Sequence, residues 1–171
     1  MVDPIDSSAV WEFWHAVRKA AAILEREAEA ALAAELHISF GQFMVLSVID
    51  AHPGPLNQTA IANHLGLTKG TVSRLIEQGV QSGWIKVSPD PVSRRSRLIS
   101  LTAEGAHLVQ RGDAILEHSP LARISTMDPT VAQATTAALQ GVINVVQSSQ
   151  GAGQQDLPPA VHPMGHTTAI T

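Results

Sequence analysis

The chain has 171 residues, a formal net charge of −4 and neither Cys nor Tyr. That length fits one domain, or one domain with an appendage, and can bury a real core. The missing Cys excludes disulfides, thiolate metal sites and thiol redox sensing. A composition rich in Ala, Leu, Ile and Val and poor in aromatics points to a helical protein. The acidic start lacks the charged-then-apolar order of a signal peptide, and no segment approaches the roughly 20 apolar residues of a membrane span. A cytoplasmic protein with no membrane contact is expected.

In chain order, Ser7–Leu36 contains no Gly or Pro. It repeats Val10, Trp11, Trp14, Val17, Ala21, Leu24, Ala28 and Ala31 at three- and four-residue spacing, the mark of one apolar helix face. Ser7 and Ser8 are its expected N-caps. A helix this long exceeds what one small core covers, so part of it is expected to meet a second subunit. Ser39 is placed to cap a helix over 40–51 that buries Phe43, Leu46 and Val48 or Ile49, ended by the breaker at His52, Pro53, Gly54 and Pro55. Two short helices follow over 57–65 and 68–81, then two strands over 84–87 and 97–102. Thr102 is the expected cap of a helix over 103–117, broken at Ser119 and Pro120. Asp128 is the expected cap of a last helix over 129–147 with Pro129 at its favoured first position. From Ser148 the composition turns to Gly, Gln, Pro, His and Thr without periodicity, as in a segment that is disordered or ordered only on a partner.

The stretch QTAIANHLGLTKGTVSRLIE, starting at Gln58, carries the strongest signal. Ala62 leaves room for two helices to cross closely. Gly66 stands where a helix end needs a left-handed residue. Ile61, Leu65, Leu67, Val72 and Leu75 are the expected small core of a helix-turn-helix. The second helix then exposes Thr68, Lys69, Gly70, Thr71, Ser73, Arg74 and Gln78. These are short hydroxyls and long donors with almost no acid, suited to phosphates and base edges in a major groove. The bland alternative is a helical hairpin whose exposed face happens to be polar. A strand, a turn bearing Arg94, Arg95 and Arg97, and a second strand weigh against it, because a helix-turn-helix followed by a two-stranded wing is a winged helix. The arginine turn on its own could equally be a solvated loop. Residues 56–97 carry six basic side chains against Glu77 and Asp90, a balance of +4 inside a body of −8. That asymmetry is a localised electrostatic footprint.

With these marks the sequence resembles the MarR family of transcriptional regulators over roughly residues 7–147. The resemblance rests on SFGQF from Ser39, the helix pair of residues 57–74, GWIK from Gly83, DPVSRR from Asp90, and LTAEG from Leu101. It implies a mainly α (α+β) winged helix-turn-helix with a two-stranded wing, flanked by N- and C-terminal dimerisation helices. Residues 1–147 would form a single domain, with 7–36 and 128–147 dimerising and 56–102 forming the winged helix-turn-helix, and 148–171 a disordered tail. The implied partners are double-stranded DNA with a near-palindromic operator, a second copy of the chain, and a small aromatic or phenolic effector that releases a repressor. No cofactor is implied. Three positions depart from the family pattern: Ser93 for an Asp before the Arg pair, Gly70 for a Ser facing DNA, and Gly79 for an apolar residue. Gly79 would cost about 1 kcal/mol relative to Ala and could bend or loosen the helix.

Trp11, Trp14, His15, Arg18, Phe40 and Phe43 could line an effector cleft, with His15 or Arg18 as its polar handle. The alternative reading makes the aromatic rings core and dimer contacts. Glu104, His107 and His118 on one helix, and His15 and His37 on another, make no complete metal-ligand set, and the tail's His162 and His166 have no fixed geometry. No phosphate-binding Gly-rich loop, G-x-S-x-G, H-E-x-x-H or Cys nucleophile is present, so an enzyme is not expected. The remaining rival is a winged-helix protein–protein module that does not bind DNA.

Overall fold

A computed structural model of the chain describes residues 6–91 and 96–148. Six α-helices occur in it: α1 (Ser7–Leu36), α2 (Phe40–Asp50), α3 (Gln58–Leu65), α4 (Lys69–Gln81), α5 (Ala103–His118) and α6 (Pro129–Ser148). Two strands, β1 (Ile85–Pro89) and β2 (Arg97–Leu101), lie between α4 and α5, and a short 3₁₀ helix (Pro120–Thr126) follows α5. The architecture is thus mainly helical with one antiparallel hairpin, the arrangement expected of a winged helix. Among the described residues no single helix is long and apolar enough to cross a membrane.

The core is assembled around α2. An apolar sequence on nearly every side of a helix calls for burial on nearly every side. Phe43, Val45, Leu46, Val48 and Ile49 are all buried, more than the single stripe expected. The helices α1, α3, α4 and α5 and strand β2 pack around it. Its first turn is closed by a capping box: Gln42 N–H donates to Ser39 Oγ (3.1 Å), and Ser39 N–H donates to Gln42 Oε1 (2.8 Å). Phe43 reaches across to α5 at Gly112, where a Cβ would fall 2.3 Å from the ring. Any side chain at Gly112 would displace the aromatic.

Only the last third of α1 joins this core, through the buried Ala28 and Leu32. Its N-cap is Asp6 rather than Ser7 or Ser8. The Asp6 carboxylate accepts from Ser8 N–H (3.3 Å) and from Ser8 Oγ (2.6 Å), and an ionised acceptor at the positive helix end is the stronger cap. At the other end His37 takes a left-handed backbone (φ 55°), and the chain turns by 87° into α2. The Glu29 carboxylate accepts from Phe40 N–H (2.5 Å) and ties that corner.

The hairpin register pairs Ile85 with Leu101 and Pro89 with Arg97. Leu56 adds a one-residue bridge on the outer side of β2, with Leu56 N–H to Ile99 O (2.9 Å) and Ile99 N–H to Leu56 O (2.7 Å). This bond locks the start of the helix pair to the wing. Thr102 closes the wing's base, donating through Oγ1 to Gly83 O (2.7 Å) and accepting from Gly105 N–H (3.1 Å) as the cap of α5. Asp128 caps α6, its Oδ1 accepting from Thr130 N–H (2.7 Å) and Val131 N–H (3.4 Å). The helix α6 buries none of its residues in its own chain.

Gly79 corrects an expectation. The helix α4 runs unbroken through it, and Gly79 is buried under Ile85, whose Cδ1 would lie 2.5 Å from an added Cβ. The residue lets β1 lie directly on α4, so it is a packing contact and not a weak point.

Candidate nucleic-acid interface

Asn57 and Thr68 cap α3 and α4, and Gly66 (φ 63°) ends α3 in the left-handed conformation that glycine adopts without a Cβ penalty. Ile61, Ala62 and Val72 are buried where the two helices meet. Two expectations about this small core change. Leu67 is 38% exposed, because it sits in the turn outside the crossing, and Ile76 takes a buried place that the spacing did not single out.

Burial of Val72, Ile76 and Gly79 fixes which face of α4 looks outward. Helical spacing puts Gly70, Arg74, Glu77 and Gln81 along the opposite stripe, with Gln78 beside it, and all five are exposed. Thr68 and Lys69 are exposed at the helix start, where free N–H groups and the positive end of the helix dipole favour an anion. Gly70 faces open space, with only Thr68 Oγ1 within 4.0 Å of an added Cβ.

Four of the expected contact residues, Thr68, Thr71, Ser73 and Gln78, are already engaged within the chain. Thr71 is half-buried, and its hydroxyl lies 2.9 Å from Thr68 Oγ1, which also accepts from Thr71 N–H (3.2 Å). Ser73 is half-buried and donates to Glu77 Oε1 (3.2 Å). Gln78 is exposed, but its Oε1 accepts from Gln42 Nε2 of α2 (3.4 Å). Thr71 and Ser73 therefore shape the face more than they project from it. Spacing cannot distinguish a hydroxyl pointing outward from one turned along the helix.

Two residues position α4 through partners that no spacing in the sequence marks. Gln58 donates through Nε2 to the Lys69 carbonyl (2.8 Å), fastening the first turn of α3 to the first turn of α4. Gln42 does the same from α2 through Gln78. A glutamine at a helix start gives no signal of its distant partner.

On the wing, Arg97 is exposed at the end of β2 opposite Pro89, and Lys86 is exposed on β1. Arg94 and Arg95, with Ser93, fall outside the described residues.

The expected effector cleft does not form within one chain. Trp11 and Trp14 are 64% and 54% exposed, and His15 and Arg18 are exposed beside them. Trp11 packs edge-on against His15 with ring centroids 4.6 Å apart. At 1.5 Å rise per residue, Trp14 lies about 21 Å along α1 from Ala28, where the helix meets the core. Phe43 is buried in that core and Phe40 half-buried at the start of α2. Periodicity identified the right face of α1 but not which length of it packs. An open depression of about 230 Å³ lies elsewhere, between the end of α2 and β2, lined by Ile49, Asp50, His52 and Leu101 among others. Among the described residues, no three His, Asp or Glu side chains gather as a metal-binding group.

A buried helix pair, an outward helix face and a hairpin locked to their base define a winged helix-turn-helix protein. The sequence model of the MarR family matches residues 36–96, the stretch that holds α2, the helix pair and β1. The fold is shared with solved structures of low sequence identity. MepR of S. aureus in its DNA-binding conformation superposes with a TM-score of 0.70 at 24% identity, over 79% of this chain and 98% of that one. Sco3205 of Streptomyces coelicolor, a MarR family regulator in complex with DNA, gives 0.65 at 17% identity, over 88% and 94%. CouR of Rhodococcus jostii RHA1, bound to p-coumaroyl-CoA, gives 0.68 at 20% identity, over 74% and 88%. No curated protein matches the chain in sequence.

Proposed function

We propose that this protein is a DNA-binding transcriptional regulator, acting as a homodimer on a near-palindromic operator, and not an enzyme. The observation that carries the reading is the outward stripe of α4, where Arg74, Gln78 and the open start of the helix at Thr68, Lys69 and Gly70 face away from the buried Val72 and Ile76. In a duplex complex α4 would enter the major groove. Arg74 would meet base edges there, and the helix start a phosphate. The wing, with Arg94, Arg95 and Arg97, would lie against the neighbouring minor groove. Repression relieved by a small aromatic or phenolic effector is the regulatory mode we favour. It is supported by the family match and by the ligand complex of CouR, a protein of the same fold. Because Trp11, Trp14, His15 and Arg18 lie far along α1 from Phe43, an effector site including them would need the second subunit. A cytoplasmic location is part of the same proposal.

Retention of duplex DNA at low salt tests the central claim. Wild-type protein is expected to bind operator and random duplex with a steep salt dependence. Replacing Arg94 and Arg95 with Ala should weaken both. It should also reduce the salt slope by about 0.9 for each phosphate no longer neutralised, roughly 3 to 4 for a dimer giving up two per wing. Absence of salt-dependent retention would return the protein to the class of winged-helix protein–protein modules. Unchanged affinity and slope in the double variant would leave the two arginines as a solvated loop.

A further inference from the structure

The outward stripe of α4 contains one residue that does not suit a phosphate-facing surface. Glu77 is exposed in line with Gly70, Arg74 and Gln81. It is the only carboxylate among residues 51–89. Against a polyanion, an acid at this place costs Coulomb energy unless it faces a donor. Arg74, one turn earlier on the same stripe, does not pair with it: Arg26 and Glu27 make the ion pair found among the described residues. Glu77 is instead steadied from its own helix, where Ser73 Oγ donates to Oε1 at 3.2 Å. That bond restricts the carboxylate's rotation and engages one oxygen, which leaves Oε2 to accept a further hydrogen bond.

In the major groove the donors available to a carboxylate are the exocyclic amines of cytosine and adenine. Cytosine N4 suits a single accepting oxygen, whereas adenine, with a donor beside an acceptor, suits an amide. We infer that Glu77 is a specificity-determining residue that accepts a hydrogen bond from cytosine N4 at one C·G pair in each half-site and disfavours all other DNA. The assignment rests on the DNA-binding reading and deepens it. Glu77 would weaken attraction to any duplex and recover that loss only where the amine is presented. Arg74 beside it would supply attraction everywhere.

The test compares wild type with Glu77→Ala and Glu77→Gln, all as dimers verified by sedimentation and helical circular dichroism. Operator fragments selected by the wild type are then mutated one base pair at a time. Wild type should discriminate against replacement of one C·G pair per half-site by about 5- to 150-fold, the range of one good base contact. Glu77→Ala should lose that preference while keeping those at other positions. Both variants should bind random duplex more tightly at low salt, having lost a repulsive charge in each subunit. Variants with wild-type preferences at every position and unchanged affinity for random duplex would overturn the assignment. Wild-type protein that retains no duplex at all would overturn DNA binding itself, and this role with it.

Discussion

The two glycines on α4 meet opposite surroundings. At Gly70 an added Cβ would have Thr68 Oγ1 as its one neighbour, at 4.0 Å, whereas at Gly79 it would press on Ile85 Cδ1 and Cγ1 at 2.5 and 2.9 Å. Replacing a helical Gly with Ala gains about 1 kcal/mol in propensity, while overpacking a formed core costs about 1–3 kcal/mol. Gly70→Ala should therefore stabilise the fold and Gly79→Ala destabilise it, a difference in sign that urea unfolding can read. Equal stabilisation by both would mean that Ile85 yields without cost and that the contact between β1 and α4 is loose.

Among the elements, α6 depends most on its own ends, since none of its residues is buried within the chain. Its cap Asp128 has its carboxyl held below the usual carboxylate range by the backbone N–H groups of Thr130 and Val131, and by the Thr130 side chain. Asp6 at the start of α1 is lowered by the Ser8 hydroxyl first and the Ser8 N–H second. A depressed folded value means that the cap's contribution is complete above the ordinary value of 3.8 and is lost as pH falls through the lowered one. Helical signal should thus fall at the acid end of a titration, and Asp128→Asn, which can still accept, should blunt that fall. Wild type and variant with superimposable acid profiles would show that protonation of Asp128 does not govern α6.

For the whole molecule, the distribution of apolar surface is the central fact. Val10, Trp11, Phe13 and Trp14 on α1, and Val131, Val142, Ile143, Val145 and Val146 on α6, are 40% to 70% exposed. Exposed apolar surface on this scale marks an interaction site. A second copy covering both helices would bury on the order of 2,000 Å², the scale of an obligate dimer. Sedimentation at micromolar concentration should show one dimeric species. Replacing Trp11 and Trp14 with Glu should produce monomers that remain folded, because this length of α1 contributes nothing to the core. A wild-type monomer would remove the dimer and, with it, the expectation of half-sites about 10 base pairs apart or a multiple of that distance.

Local chemistry made much of this protein legible from its residues. The caps Ser39, Thr102 and Asp128, the left-handed Gly66 and the breaker at Pro53 act over a few positions, so helices α1 to α6 and both strands could be read to within a few residues. The crossing at Ala62 and Val72 was legible for the same reason, since apolar periodicity within α3 and α4 reports their shared face. What joins distant segments was not. The bridge from Leu56 to Ile99, the bond from Gln58 to Lys69 O, and the seats of Ile85 on Gly79 and of Phe43 on Gly112 each depend on residues far apart in the chain. Tertiary packing also decided that Leu67 stays outside the core and that Ser73 turns to Glu77. It left the aromatic half of α1 projecting from the domain, which a periodic pattern cannot foresee. Periodicity records which side of a helix is apolar, and only the neighbours supplied by the fold determine how much of that side they cover.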